Sequence, residues 1–193
     1  MTSDSRRSSL HVYNARCALT VDPSRNRADT VHTVNLETAT RSAAGADFAW
    51  DAKLVVQVTG RELPDVVATL LGLRSRVECL HHGPRRDKGY RLFHDGERCV
   101  VQLFSGDSGR HTVSLAPADR LGVVAMMFRQ LQRNHGGLPA DVLYAMLERV
   151  YATPSAEETG TAGTAGTAGT DAGGAAPTNP PSPPPAAGDA YDW

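Results

Sequence analysis

The order of strand and helix patterns predicts an α+β fold built from antiparallel sheets. Three strand regions precede a first helix, four more strands follow it, and two helices come last. Strands that are grouped in blocks favour antiparallel sheets, because parallel strands need a crossover connection between them. Short glycine-containing turns between the strands also favour hairpins. We therefore expect two antiparallel sheet blocks, each followed by a helix, and a C-terminal helix pair.

Residues with high strand propensity define the first block. Residues 11–23, HVYNARCALTVDP, are rich in β-branched and aromatic side chains and stop at the turn pair Asp22-Pro23. In residues 30–40 apolar and polar positions alternate, as in a strand with one buried face. Residues 48–60 form the third strand region. The block is thus expected to contain three strands.

The apolar pattern then changes to a helical period. Pro64 and Asp65 suit a first helical turn, and Gly72 suits a helix end. Four strand-like runs follow over 76–115, separated by Gly-Pro, Asp-Gly and Gly-Asp-Ser-Gly turns. The order of these signals predicts one helix between the two strand blocks.

Two helices, joined by a loop containing Gly136-Gly137, are expected to form an antiparallel pair at the end of the domain. The first begins near Pro117, and its apolar residues recur at Leu121, Val124, Phe128 and Leu131. The second has its apolar residues on one face, at Val142, Leu143, Met146, Leu147 and Val150. One small sheet cannot cover both faces of such a pair, so we expect the helices to contact sister subunits.

The formal net charge of −1 conceals an uneven distribution. From Thr153 to Trp193 there are five acidic residues and no basic one, so the tail carries −5 and the rest of the chain +4. A basic body suits a nucleic-acid binder, and an acidic tail would compete for the same surface. The Thr-Ala-Gly repeat and the Pro-rich stretch lack large apolar side chains. We therefore expect a flexible N-terminus over 1–9, one domain over 10–152 and a disordered tail over 153–193.

The tail ends in an acidic, aromatic tip. Its residues are Asp189, Tyr191, Asp192 and Trp193. A passive tail has no physical need for large aromatic side chains. The plan resembles that of bacterial single-strand binding proteins, and by analogy the tip is predicted to bind a replication or repair protein.

The composition predicts a soluble protein of a reducing compartment. The cysteines Cys17, Cys79 and Cys99 form an odd set without CxxC spacing, and each lies in an apolar stretch. No run of about 20 apolar residues is present, and the N-terminus does not resemble a secretory signal. We expect a cytoplasmic, nucleoid-associated protein without a membrane segment, a metal or a cofactor.

Several segments resemble the Whirly family of single-stranded DNA-binding proteins. The family strand Val-Tyr-Lys-Gly-Lys-Ala-Ala-Leu is similar to residues 12–19, where Asn14 and Arg16 stand at the two lysines. Residues 48–50, Phe-Ala-Trp, resemble the family's Tyr-Asp-Trp before a Lys-bearing strand, and Glu62-Leu63 its Glu-Leu helix start. Residues 78–84, ECLHHGP, are similar to Glu-Phe-Phe-His-Asp-Pro. The resemblance covers roughly 12–133 in element order and implies a tetramer. Without a transit-peptide pattern, a bacterial-type relative is expected.

Single-strand binding needs cations for phosphates and exposed aromatics on which bases stack. The candidate nucleic-acid-binding residues combine these types at Tyr13, Asn14, Arg16, Trp50, Lys53, Arg85, Arg86, Lys88, Tyr90 and Arg91. For Trp50 a core position is the alternative, and for Arg85 and Arg86 a solvated turn is the alternative. The predicted function is binding of single-stranded DNA with little sequence specificity, in replication, recombination or transfer.

Enzyme and metal hypotheses find less support. His81 and His82 are adjacent in a strand and point to opposite faces, so they do not easily share a zinc ion with Cys79. The chain has no GxSxG motif and no Walker loop, and we expect no catalytic residues. Two alternatives stay open: an interaction scaffold of the same fold that recruits partners through its tip, and an RNA-binding protein.

Overall fold

The computed structural model describes residues 9–152 with the exception of 43, 44, 46, 107 and 108. The predicted tail over 153–193, with its tip at Asp189, Tyr191, Asp192 and Trp193, lies outside these residues and stays a prediction, as do the domain boundaries.

Two four-stranded antiparallel sheets make up the fold, each with its strands in chain order. The first sheet contains β1 (Leu10–Tyr13), β2 (Cys17–Arg25), β3 (His32–Thr40) and β4 (Leu54–Val58). Helix α1 (Leu63–Leu71) leads to the second sheet, with β5 (Arg76–His82), β6 (Lys88–Asp95), β7 (Arg98–Ser105) and β8 (Gly109–Leu115). Helices α2 (Pro117–Asn134) and α3 (Ala140–Ala152) follow. The predicted fold class is confirmed.

The first strand region differs from the prediction, because it forms two strands instead of one. A tight turn at residues 14–16 separates β1 from β2, and the Asn14 backbone N–H donates to the Cys17 carbonyl oxygen at 2.9 Å. The first sheet therefore has four strands. Asparagine readily enters turns, but the apolar residues on both sides conceal this turn in the sequence.

The predicted stop at Asp22-Pro23 is also wrong. Strand β2 continues to Arg25, and Pro23 pairs with Val34 of β3. Strand β1 is short and pairs with β2 only up to Val21. Beyond that residue none of the described strands pairs with this edge of β2, so the missing N–H of a proline costs no ladder hydrogen bond there.

The hydrophobic core lies between the two sheets and beneath α1 and α2. Alternate residues of each strand point inward and are fully buried, among them Leu36, Val56, Leu92, Leu103 and Val113. A buried hydrogen bond of 2.9 Å between Thr38 Oγ1 and His111 Nδ1 joins β3 to β8. Because this contact links the two sheets, it fixes how their inner faces meet.

Helix α1 forms where the sequence predicts it. Thr59 and Glu62 exchange capping hydrogen bonds before its start: the Thr59 N–H donates to Glu62 Oε2 at 2.9 Å, and the Glu62 N–H donates to Thr59 Oγ1 at 3.4 Å. Gly72 ends the helix in the left-handed conformation, with φ of 84°. Val66, Val67 and Leu70 are fully buried, so this helix packs into the core.

The C-terminal helices form as predicted, but their buried faces differ from the expected ones. In α2 the buried apolar residues are Val123, Met127 and Leu131, whereas Leu121 is 69% exposed. In α3 only two of the five expected apolar residues are buried, Leu143 and Leu147. The α3 residue Tyr151 donates a 2.6 Å hydrogen bond to Asp65, which ties α3 to α1. Helical spacing permits two apolar faces here, and packing selects one of them.

A glycine in β6 permits close packing in the second sheet. A Cβ at Gly89 would lie 2.6 Å from the Cys79 carbonyl oxygen and 2.6 Å from Phe104 Cε2. We expect Gly89→Ala to lower the free energy of unfolding by about 1–3 kcal/mol in urea titrations, because overpacking forces neighbours to move. Gly106→Ala is the matched control, since a Cβ there meets nothing within 4 Å. Equal stability of the two variants would contradict the packing shown.

Candidate nucleic-acid interface

Three rings lie in a row on the outer face of the first sheet. His11 stacks against Tyr13 at 6.2 Å between ring centroids, and Tyr13 contacts Phe48 at 5.7 Å. The Arg41 guanidinium lies 4.7 Å above the Phe48 ring centre. Tyr13 is 62% exposed. We call His11, Tyr13, Phe48 and Arg41 the aromatic platform, because it combines a row of rings with a cation, as base stacking requires.

The sequence builds this platform from small neighbours and a bridging arginine. Tyr13 pairs with Ala18, and Ala18 with Ala39, and both alanines are fully buried. Arg41 donates from Nε to the Ala15 carbonyl oxygen at 2.7 Å, which ties the β1–β2 turn to the segment after β3. Because the alanines do not project beyond the sheet, the rings can lie across it.

The other predicted residues of the first sheet lie around the platform and differ in their exposure and in their contacts. Arg16 is exposed and has no ion-pair partner among the described residues. Lys53 forms a 2.6 Å ion pair with Glu37. Asn14 donates from Nδ2 to the Ser114 carbonyl oxygen at 3.1 Å, a contact that anchors the turn to β8. Trp50 is half-buried in a 3₁₀ turn before β4.

The predicted basic run lies at the β5–β6 hairpin of the second sheet. Arg85 pairs with Asp87 at 3.2 Å, and Arg91 pairs with Glu78. Arg86 is exposed and has a left-handed backbone, with φ of 54°. The Lys88 stem packs against Gly83. This hairpin presents exposed cations.

The platform and this hairpin are separate. Asn14 contacts β8 at Ser114, which pairs with Val100, whereas Lys88 pairs with Ser105. The two pairs lie five residues apart along β7, or on the order of 17 Å. The structure thus divides the predicted site into two regions, and the row of contacting rings His11, Tyr13 and Phe48 belongs to the first.

Tyr90 requires a correction. Its side chain is fully buried and its hydroxyl donates to Glu62 Oε2 at 3.2 Å. The ring also contacts His82, with 5.4 Å between ring centres. Burial, above all, and the nearby Glu62 carboxylate raise the pKa of Tyr90. A ring held in the core cannot stack on a base, so Tyr90 is a structural residue that joins β6 to the start of α1.

Glu62 is the centre of this buried contact group. Burial by itself would raise its pKa, but contacts from His82 and from the Thr59 N–H outweigh it and lower the pKa. His82 Nε2 lies 3.0 Å from Glu62 Oε1, an ion-pair distance at which the ring N–H is not aligned for a hydrogen bond. The carboxylate is thus held in its charged form.

This lowered pKa predicts a stability change in acid. A carboxylate with a lowered folded-state pKa stabilises the fold above its ordinary value of 4.5, and this contribution is lost as pH falls through the folded pKa. We expect Glu62→Gln to be less stable than the wild type at neutral pH and the difference to shrink below 4.5. Urea unfolding across this pH range measures it, with the exposed Glu97→Gln as control. A difference that stays constant with pH would contradict the assignment.

The residues considered for metal binding do not converge. The described residues contain no group of three or more side chains suited to hold a metal ion. His81 has φ of 65° in the irregular end of β5, and His82 contacts Glu62. Burial raises the pKa of the Cys79 thiol to about 11.

None of the described helices is long and apolar enough to cross a membrane.

Sequence reasoning missed two members of the platform. His11 and Arg41 were not predicted, and Phe48 entered only through the Whirly resemblance. Arg41 has no local signal, because it reaches Phe48 through an isolated bridge between the strands. The stacking of His11 on Tyr13 follows from their positions two residues apart on one face of β1.

Comparisons with known proteins identify the fold. No protein-family model and no curated protein matches the sequence. Among solved structures, WHY3 from Arabidopsis thaliana matches with a TM-score of 0.50 and 14% identity, over 78% of this chain and 99% of that chain. The plant transcriptional regulator PBF-2 matches with a TM-score of 0.52 and 14% identity, over 81% and 93%. The chain has the Whirly-like α+β fold.

Proposed function

We propose that the protein binds single-stranded DNA with little sequence specificity. The aromatic platform carries this proposal, because exposed Tyr13 lies between two further rings with Arg41 at the end of the row. Rings stack on any base, so a row of them favours affinity over base selection. The chemistry is that of a binding protein rather than an enzyme.

Cations around the platform supply the phosphate contacts. Arg16 follows Tyr13 closely and is exposed. The Lys53 side chain is 40% exposed, so a phosphate can compete with Glu37 for its ammonium group. The hairpin with Arg85, Arg86 and Lys88 provides a second contact region. Because both regions contact phosphates through cations, we expect the affinity for single-stranded DNA to fall steadily as the salt concentration rises.

A tetramer belongs to the same proposal. Helices α2 and α3 leave large apolar side chains in solvent: Leu121 is 69%, Met146 49% and Val150 67% exposed. In α3, Val142, Met146 and Val150 recur every four residues and form one stripe. Burial of this stripe between subunits would remove it from water.

The biological role that fits this chemistry is replication, recombination or transfer of DNA in the cytoplasm, at the nucleoid, by a bacterial-type relative of the Whirly proteins. The tip at Asp189, Tyr191, Asp192 and Trp193 would recruit a replication or repair protein. Its aromatic side chains and carboxylates offer an apolar anchor with charge on either side.

The test is a titration of labelled oligo-dT followed by fluorescence anisotropy, at two salt concentrations and with duplex competitor. We expect salt-sensitive binding that duplex DNA does not displace. Arg16→Ala and Lys88→Ala should each weaken binding for all sequences and flatten the salt dependence. Absence of binding at low salt, or full affinity after combined replacement of Arg16, Lys53 and Lys88, would overturn the proposal.

A further inference from the structure

Two arginines and a histidine lie together at the end of the first sheet away from the aromatic platform. Arg25, the last residue of β2, pairs directly with His32, the first residue of β3. Arg133, in the last turn of α2, lies close enough to His32 to act on its charge. We call Arg25, His32 and Arg133 the rim cluster.

Two side chains of α2 hold this cluster in place. Asn134 accepts from the His32 backbone N–H and donates to the His32 carbonyl oxygen, both at 2.7 Å. Gln130 is only 3% exposed; it is hydrogen-bonded to the His32 ring and accepts from Arg133 Nη1 at 3.3 Å. The imidazole and the Arg133 guanidinium are therefore positioned before any ligand arrives.

The cluster carries an excess of positive charge. The carboxylate that faces it is Asp29, whose side chain is 80% exposed and lies 3.5 Å from Arg25. A pair so exposed to water is weak. Burial first, and then Arg25 and Arg133, lower the pKa of His32, while the Gln130 hydrogen bond and Asp29 oppose this less strongly. Like charges held together in this way favour an anion between them.

We propose that the rim cluster binds a phosphate group, namely a backbone phosphate of the strand whose bases lie on the aromatic platform. This inference rests on the proposed function. Arginine offers paired donors that match the oxygens of a phosphate, and a histidine between two arginines adds a third donor once protonated. Gln130 and Asn134 act as positioning residues.

The distance between the aromatic platform and the rim cluster sets the length that an oligonucleotide needs to contact both. Arg25 lies seven residues along β2 from Ala18, which pairs with Tyr13. Seven strand residues span about 23 Å. Because seven is an odd number, Arg25 and His32 lie on the opposite face of the sheet from Tyr13, so a bound strand passes around the end of the sheet over a path longer than this. Stacked nucleotides advance about 3.4 Å each. An oligonucleotide of about four nucleotides therefore cannot reach from the platform to the rim cluster, while one of about twenty can.

The first arm of the test measures oligo-dT binding to the Arg25→Gln, Arg133→Gln double variant at these two lengths. We expect about tenfold weaker binding of the long oligonucleotide, a salt slope reduced by roughly one, and unchanged binding of the short one. Arg98→Gln, an exposed arginine at the β6–β7 turn, is the matched control and should bind both lengths as the wild type does. Unchanged long-oligonucleotide affinity and salt slope in the double variant would overturn the proposal.

The second arm follows the His32 imidazole by NMR, with inorganic phosphate alone and with the long oligonucleotide. A bound phosphate stabilises the imidazolium, so the pKa of His32 should rise with the oligonucleotide in the wild type and less in the double variant. A rise with inorganic phosphate but not with the oligonucleotide would overturn assignment to a backbone phosphate. If the protein binds no oligonucleotide at all, the proposed function itself fails, whereas an unmoved His32 with intact binding removes only the rim cluster.

Discussion

Replacing Tyr13 by alanine should weaken binding of single-stranded DNA by about one to two orders of magnitude. Tyr13 is 62% exposed and lies between His11 and Phe48, so its ring is the part of the platform that a base meets first. Loss of a stacked base costs about 1–3 kcal/mol. The reduction should be similar for oligo-dT and mixed sequences, because stacking does not depend on base edges.

Anisotropy titrations of wild type, Tyr13→Ala and Tyr13→Phe measure this effect. The phenylalanine variant keeps the ring and should retain most of the affinity, while Leu80→Ala, a change at a residue 51% exposed outside the platform, should leave it unchanged. Phe48→Ala combined with Tyr13→Ala should cost less than the sum of the two, because the rings touch. Wild-type affinity of Tyr13→Ala would remove the platform from the binding site.

Replacing Tyr90 by alanine should lower the free energy of unfolding by about 3–5 kcal/mol, the range for large aromatic side chains in a core. Tyr90 is fully buried, and its hydroxyl contacts Glu62 at the start of α1. The change would leave a cavity between β6 and α1 and would remove one of the two donors to Glu62 Oε2, which keeps the Thr59 N–H. Urea unfolding of the purified variant measures the loss.

Tyr90→Phe separates stability from binding. It removes only the hydroxyl, so we expect a cost of about 1 kcal/mol in unfolding and unchanged affinity for oligo-dT. A folded Tyr90→Phe variant with clearly weaker DNA binding would contradict the burial of Tyr90 and restore it as a contact residue.

The element types were readable because they depend on neighbours in the chain. Gly72 after an apolar stripe marks the end of α1, and glycine-containing turns mark the hairpins of the second sheet. The predictions were wrong where strand pairing overrides the conformational preference of a single residue. Pro23 reads as a strand end, but it is tolerated because β1 is too short to pair there.

The candidate site was only partly predictable for a related reason. Tyr13 and Arg16 are close in sequence and both are exposed in the structure. Tyr90 occupies an equally basic segment but faces the core, since the alternation of β6 turns it inward beside Leu92. An isolated β-bridge brings Arg41 next to Phe48. Strand pairing brings Arg25 next to His32, and the end of α2 adds Arg133.

The sequence alone determined the α+β class, the positions of the helices and the second strand block, and the basic charge of the body, because hydrophobic period, turn residues and composition are local properties. Tertiary structure alone decided which apolar face of α2 and α3 is buried, that Tyr90 is a core residue, and that the platform and the rim cluster form at opposite ends of the first sheet. These outcomes depend on which side of each strand and helix meets the core, and burial selects that side only when all the elements pack together.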